Sequence, residues 1–237
     1  LRSGKTVKIF VAIPAYDRKI CVETARALLN EQTVAALSGH EISTRFLPGC
    51  SLITMARNQL VDDFIASDCD RLVFIDADLS WEPGSVLKLC AHDADCVGGA
   101  YRFKQEEEAY PVAWPASAEI TPERLKYAEA GLMEVEGLPG GFIAIRRAAL
   151  DRFREVQGNR TYAHFGHGAY AYFTAPFRDG RLMGEDNAFC ADLRAAGVPI
   201  LLDPSLVITH HDGPTAYTGC VADWLRARRD SIKAAAE

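Results

Sequence analysis

Apolar runs and polar breaks follow one another along this chain at spacings that predict strands and helices in turn. Val7 to Ile13 alternates and then saturates with Val and Ile, a strand ended by Pro14-Ala-Tyr-Asp17. Cys21 to Gln32 places Val22, Ala25, Leu28 and Leu29 at helical spacing. Ile42 to Leu47 reads as a second strand closed by Pro48-Gly49. Ser51 to Ser67 reads as a second helix, with Ile53, Ala56, Leu60 and Phe64 on one stripe. Leu72 to Ile75 is continuously apolar, the pattern of a strand buried on both faces. A helix from Ser85 to Ala91 follows Trp81-Glu-Pro-Gly84, with Pro near its start, and Cys96 to Tyr101 is a short strand containing Gly98-Gly99. Such alternation implies βαβ units with parallel strands.

The second half is less regular. Residues 115–131 are polar, with a helix start at Thr121-Pro-Glu123, and read as an excursion from the sheet. Leu138-Pro-Gly-Gly-Phe-Ile-Ala-Ile145 is a glycine turn feeding a strand, followed by a helix from Arg147 to Val156. Residues 158–183 combine glycines with Tyr162, Phe165, Tyr170, Tyr172, Phe173 and Phe177, and a long loop of that kind predicts a lid. Gly184 to Gly197 has an acidic helix start and a glycine stop. Ile200 to Leu202 and Leu206 to Ile208 are short strands, the second ending in Thr209-His-His-Asp-Gly213. Val221 to Ala236 is an amphipathic helix with Arg226, Arg228, Arg229 and Lys233. Its basic face reads as solvated, with attachment to a membrane surface as the alternative.

Composition narrows the class. The 237 residues suffice for one large domain, and 49% apolar with 24% charged residues is ordinary for a soluble globular protein. A net charge of −6 carries no electrostatic footprint for nucleic acid, so no nucleic-acid partner is expected. Seven cysteines without any C-x-x-C pair suit a reducing compartment, hence the cytoplasm. No apolar run reaches spanning length, so no integral membrane span is expected. The first residue is Leu1 rather than Met, as in a trimmed chain.

The candidate chemistry gathers where the Leu72–Ile75 run stops in Asp76-Ala-Asp78. Side chains two apart on an extended chain share a face, so both acids can enter one cleft beyond the carboxyl end of the strand. Two acids there suit a hard divalent cation carrying phosphate oxygens. Asp68-Cys-Asp70 and Asp93-Ala-Asp95 have the same spacing but stand at strand starts, the wrong end. Tyr16 either stacks on a base or covers the core edge; Asp17 either accepts from a ring N–H or ribose, or caps the next helix. Arg57 is either solvated or a binding residue. Arg102 and Lys104 either meet phosphate or balance Glu106-Glu-Glu108. Gly140-Gly141 either admits an acceptor or sugar to the backbone or makes a tight turn. His164 and His167 have no third ligand nearby in sequence and are set aside as a metal pair.

The order of these features resembles a GT-A-fold glycosyltransferase of the family-2-like kind, or the related Anp1-like mannosyltransferases. It runs from a strand-end Asp-x-Asp through a Gly-Gly turn and a Glu-Asp helix start to a late His, covering residues 8 to about 218. The resemblance implies one α/β GT-A-like, Rossmann-related domain over 1–237, with a mixed central sheet flanked by helices. It places the nucleotide-sugar half at about 7–104, the acceptor half at about 105–218 and a C-terminal helix at 219–237. It assigns Asp76-Ala-Asp78 to the metal motif, with His211 as the late ligand and His210 as its alternate, for Mn²⁺ or Mg²⁺. Pro14, Tyr16, Asp17, Arg57, Asp76, Ala77 and Lys104 fall on the nucleotide side, Gly140 and Gly141 by the acceptor or sugar. Glu185 and Asp186 match the acidic pair near the acceptor, with Asp186 as the general base. The implied activity is transfer of a hexose from a nucleoside-diphosphate sugar, a UDP-sugar before a GDP-sugar. The acceptor hydroxyl belongs to a glycan, a lipid-linked molecule or another acceptor. The Gln-x-x-Arg-Trp motif of processive synthases is missing, which favours one sugar per encounter. Two alternatives remain. A sugar nucleotidyltransferase would carry a glycine-rich phosphate loop where this chain has Pro14 to Lys19 without glycine. A non-catalytic nucleotide- or carbohydrate-binding module could keep the same fold.

Overall fold

A computed structural model describes residues 6–116, 127, 129–164, 167–178 and 180–236. In the first part the elements are β1 (Lys8–Ala15), α1 (Val22–Leu37), β2 (Glu41–Pro48), α2 (Ile53–Ala66), β3 (Arg71–Ile75), β4 (Leu79–Trp81), α3 (Ser85–Ala91) and β5 (Cys96–Gly98). Then come β6 (Met133–Val135), β7 (Phe142–Arg146), α4 (Arg147–Gln157), β8 (Thr161–His164), β9 (His167–Tyr170), β10 (Phe177–Arg178) and β11 (Arg181–Leu182). The last are α5 (Glu185–Ala195), β12 (Ile200–Leu202), β13 (Val207–Asp212), β14 (Thr215–Cys220) and α6 (Val221–Ala236). The helix start expected at Thr121 lies outside the described residues.

Seven strands form the central sheet in the order β2-β1-β3-β7-β5-β12-β6. Alternate side chains of each strand go to opposite faces. Phe10, Leu72, Phe74, Ile143 and Ile145 pack on one face with Leu60 and Phe64 of α2, Phe153 of α4 and Phe189 of α5. Ile9, Val11, Val73, Ile75 and Phe142 pack on the other with Leu28 of α1 and Val86 and Leu89 of α3. The result is a sheet between two helical layers, the mixed α/β domain the sequence predicts. The sheet is not wholly parallel as the βαβ alternation alone implied. β1 runs parallel to β2 and β3, whereas β7 enters between β3 and β5 antiparallel to both. Because Phe142 begins β7 opposite Ile75, the Gly140-Gly141 turn arrives at the carboxyl end of β3, beside Asp76.

A buried and a half-buried charge fasten the helix ends. Glu31, with no exposed surface, accepts from the backbone N–H groups of Gly84 and Leu87 and from Trp81 Nε1 at 2.8–3.0 Å, satisfying the open N-terminus of α3. Arg147 donates to the carbonyls of Phe64, Ile65, Ser67 and Cys69, closing the C-terminus of α2, and its guanidinium lies 4.5 Å from the Phe64 ring centroid.

The lid expected over 158–183 is corrected in its middle. Tyr172 and Phe173 are 0% and 1% exposed; Phe173 stacks on Phe189 with ring centroids 4.2 Å apart. An aromatic stretch without helical or strand periodicity looks loop-like, but here its rings complete the core. Asn58 of α2 holds it there, donating from Nδ2 to Phe173 O at 3.0 Å and accepting from Phe173 N at 2.7 Å. Asn58→Ala strands both buried backbone groups and is expected to cost about 2–4 kcal/mol, read by urea unfolding.

A second sheet, β14-β13-β4, stands beyond the β3 end. The strand expected over Leu206–Ile208 extends to Asp212, so the two histidines lie within β13 rather than past its end. At the C-terminus, Trp224 Nε1 donates to Glu108 O at 2.8 Å and fixes the start of α6. Among the described residues no helix is long and apolar enough to cross a membrane. All seven cysteines are free.

Candidate active site

The turn from Asp76 to Asp78 joins β3 to β4 and is held from two sides. The Ala77 carbonyl accepts from Cys21 N at 2.9 Å and Thr24 Oγ1 at 3.1 Å, which ties the turn to the start of α1. On the other side Asp76 N donates to Gly141 O at 3.0 Å, and His211 N donates to Asp78 O at 2.8 Å. With the backbone fixed, the two carboxylates point into different company.

Asp76 is spoken for. Arg57 Nη2 approaches its Oδ1 at 3.3 Å and Tyr101 Oη donates to its Oδ2 at 2.9 Å. Burial first, and then the Asp76 charge, push the Tyr101 phenol well above its usual range, so it stays a donor. Arg57 lies beneath the site, 4% exposed, rather than on its surface. Its Nη1 is 3.7 Å from Glu185 Oε1, and its guanidinium carbon is 5.7 Å and 5.6 Å from the Phe74 and Phe173 ring centroids. This one buried cation therefore links the end of β3 to the start of α5. Gly140 and Gly141 are required by the close approach. A Cβ on Gly140 would stand 1.4 Å from Arg57 Nη1, and one on Gly141 would stand 2.1 Å from Asp76 Oδ2. Gly140 and Gly141 form a turn, and the groups that approach it closely are this chain's own Arg57 and Asp76.

Asp78 faces Lys104 and His210. Lys104 Nζ is 2.7 Å and His210 Nε2 3.4 Å from Asp78 Oδ2. Burial opposes ionisation, but the hydrogen bonds from His210 and Lys104 outweigh it and pull the carboxyl down to about 2. Adjacent residues of a strand point to opposite faces. Hence His210 turns to Asp78, while His211 turns to Ser80, with Nε2 2.8 Å from Ser80 Oγ. Of the late ligand and its alternate, the alternate is the one beside the acid. His210 Nδ1 sits 2.9 Å from Arg102 O. A carbonyl only accepts, so Nδ1 carries a proton there and Nε2 is the atom turned toward Asp78. The imidazole also packs edge-on against Tyr101, centroids 4.9 Å apart.

The remaining predicted residues spread outward. Pro14, one residue before the end of β1, lies opposite Leu47. Tyr16 is 67% exposed, and Asp17 accepts from Lys19 N at 3.1 Å. Glu185 and Asp186 open α5, where Asp186 Oδ1 accepts from Asn187 N at 2.7 Å. Asp186 has no cation within ion-pair distance among the described residues. The two like-spaced acidic pairs are structural: Arg146 reaches both Asp93 and Asp95, and Asp68 pairs with Lys8. Tyr101, Ser80 and the Arg102 carbonyl were not among the expected site residues. Tyr101 sits just past the end of β5, a position whose chemistry only the sheet order reveals.

The sequence matches no protein-family model and no curated protein. Among solved structures it resembles GalNAc-T7, solved with UDP, GalNAc and Mn²⁺, at TM-score 0.51 and 12% identity over 86% of this chain and 44% of that one. It also resembles S. aureus TarS 1–349 in complex with UDP-GlcNAc, at TM-score 0.47 and 14% identity over 83% of this chain and 56% of that one. The chain thus spans about half the length of the structures it matches. The fold is GT-A-like.

Proposed function

We propose that this chain transfers a hexose from a nucleoside-diphosphate sugar, UDP-linked before GDP-linked, to a hydroxyl of a separate acceptor. The observation that carries the reading is the paired donor set at the end of β3. Asp78 is held ionised and faces His210 Nε2, whose other nitrogen is committed to a backbone carbonyl. With Nδ1 donating to that carbonyl, Nε2 can ligate a metal once the ion displaces the proton shared with Asp78. The fit to a divalent ion is one in which substrate completes the site. Among the described residues no three His, Cys, Asp or Glu side chains gather into a metal cage. Mg²⁺-type sites do not need one, because one or two protein ligands plus phosphate oxygens and water suffice.

Asp78 and His210 would hold Mn²⁺ or Mg²⁺, and Asp76, already engaged by Arg57 and Tyr101, would reach it through water or hold the ribose. Bound there, the ion supplies Lewis-acid stabilisation of the negative charge on the departing diphosphate. Lys104, 2.7 Å from Asp78 Oδ2, would add its charge on the same side. Tyr16 and Asp17, exposed at the end of β1, would take the base and ribose. Asp186, with no paired cation among the described residues, would accept the proton of the attacking hydroxyl. Arg57 holds Asp76 and Glu185 in fixed relation, so donor and acceptor sides keep one geometry. The GalNAc-T7 structure, with its UDP, GalNAc and Mn²⁺, supports this reading by fold.

The test is thermal stabilisation by UDP and by GDP, with Mn²⁺ and with chelator. At about 100 times the dissociation constant, binding adds about 2.7 kcal/mol, a rise of a few degrees in Tm. The expected result is a large shift with Mn²⁺ and little with chelator. Equal shifts under both conditions would remove the metal from the reading. Binding without turnover of any intact sugar nucleotide would leave the non-catalytic module.

A further inference from the structure

Beside the start of α5 lies a cleft of about 760 Å³ whose walls include Arg178, Arg181, Arg194, Glu136, Gly184 and Asn187. Among the described residues its walls carry three arginines and one glutamate, in a chain whose net charge is −6. The imbalance is built in. Arg178 donates to Asp192 Oδ1 at 2.8 Å, but that buried carboxylate is shared with Arg160, 2.7 Å from Oδ2, so it neutralises only one of the two cations. Arg181 pairs with Arg178 in register across the β10–β11 hairpin and has no ion-pair partner among the described residues. Arg194 lies on the same α5 face as Asn187, seven residues on; it donates to Glu136 O at 3.5 Å and stands 3.9 Å from the Glu136 carboxylate.

The position of the cleft gives it meaning. Gly184 and Asn187, in its wall, bracket Glu185 and Asp186. A molecule whose hydroxyl reaches Asp186 would put its neighbouring substituent among the arginines. Guanidinium forks match the oxygens of phosphate. We infer that this cleft is an acceptor subsite for a phosphate-class anion carried by the acceptor. The inference rests on the transferase reading for the word acceptor, but the anion site itself does not. Phe177 and Leu182, cross-strand partners in the same hairpin, are 74% and 73% exposed and form an apolar edge beside the arginines. The phosphate could therefore belong to a soluble acceptor or to a lipid headgroup.

The experiment follows the arginine Nε–Hε resonances by NMR while inorganic phosphate is added to the full chain. Saturable shifts of Arg181 and Arg194, assigned by substitution, are expected. Arg181→Gln, which breaks no contact among the described residues, should weaken phosphate about tenfold, and Arg181→Gln with Arg194→Gln more, at unchanged Tm. Unsaturable shifts, or equal affinity in the double variant, would overturn the proposal. In a second arm the protein is sedimented with phosphatidylglycerol vesicles. Co-sedimentation lost in the double variant and competed by inorganic phosphate assigns a lipid headgroup. Phosphate binding without co-sedimentation assigns a soluble acceptor. Vesicle binding without a saturable phosphate response would count against the cleft. The phosphate titration needs no donor, so an absent response to UDP and Mn²⁺ would sink the transferase reading and leave the anion site standing.

Discussion

Asp78→Asn is expected to lose Mn²⁺-dependent UDP binding and transfer together, each by about 10²–10⁴-fold, the scale of removing several kcal/mol of metal-borne charge stabilisation. The amide keeps the shape of the side chain but not the charge that Lys104 and His210 face. His210 distinguishes this from a general disturbance. His210→Ala removes the imidazole turned toward Asp78 and should lower Mn²⁺-dependent binding by about 10–100-fold. His211→Ala, whose side chain hydrogen-bonds Ser80 rather than Asp78 among the described residues, should lower Tm and leave nucleotide affinity near wild type. Isothermal titration of UDP, with Mn²⁺ and with chelator, reads all three. If His211→Ala carries the large loss and His210→Ala does not, the order of the two ligands is reversed and β13 must rearrange on binding. If Asp78→Asn binds as wild type does, the metal reading fails.

That His210 and His211 had to be separated by structure shows where sequence pattern stops. The run Leu72–Ile75, every residue buried, was legible because a strand covered on both faces has no polar interruption until it ends. Its end therefore marked the site. Neighbouring residues on a strand differ only in face, and the face of His210 is set by register: it lies opposite Leu79 of β4. β4 itself is three residues long, too short for periodicity to announce. Direction was equally hidden, since alternation of apolar residues is the same for a strand run either way; only pairing reveals that β7 opposes β3. Arg57 looked like a charge in a mixed helix. Its burial follows from Gly140, more than eighty residues away in sequence, leaving room for the guanidinium where any Cβ would collide.

Asp186→Asn is expected to bind UDP and Mn²⁺ nearly as wild type does yet lose transfer by about 10²–10⁴-fold. Two observations favour Asp186 over its neighbour as the base. Glu185 is drawn 3.7 Å from Arg57 Nη1, which commits its carboxylate to the buried cluster beneath the site. Asp186 has no such partner among the described residues, and its hydrogen bond from Asn187 N survives in the amide, which keeps an accepting oxygen. The competing role is electrostatic only: an acidic residue in the first turn of α5, worth about 0.3–1 kcal/mol against the helix dipole. Loss of that role would appear in Tm and leave turnover intact, so the two roles separate in one variant. Glu185→Gln should do the opposite, lowering Tm through the Arg57 cluster while retaining more transfer than Asp186→Asn. The base role also requires inversion at the anomeric carbon, because a hydroxyl activated there attacks the face opposite the leaving nucleotide. The product anomer, read by NMR coupling constants, is the independent check. Retention would recast Asp186 as a residue that positions sugar or acceptor, and near-wild-type turnover in Asp186→Asn would move the search for the base to Glu185.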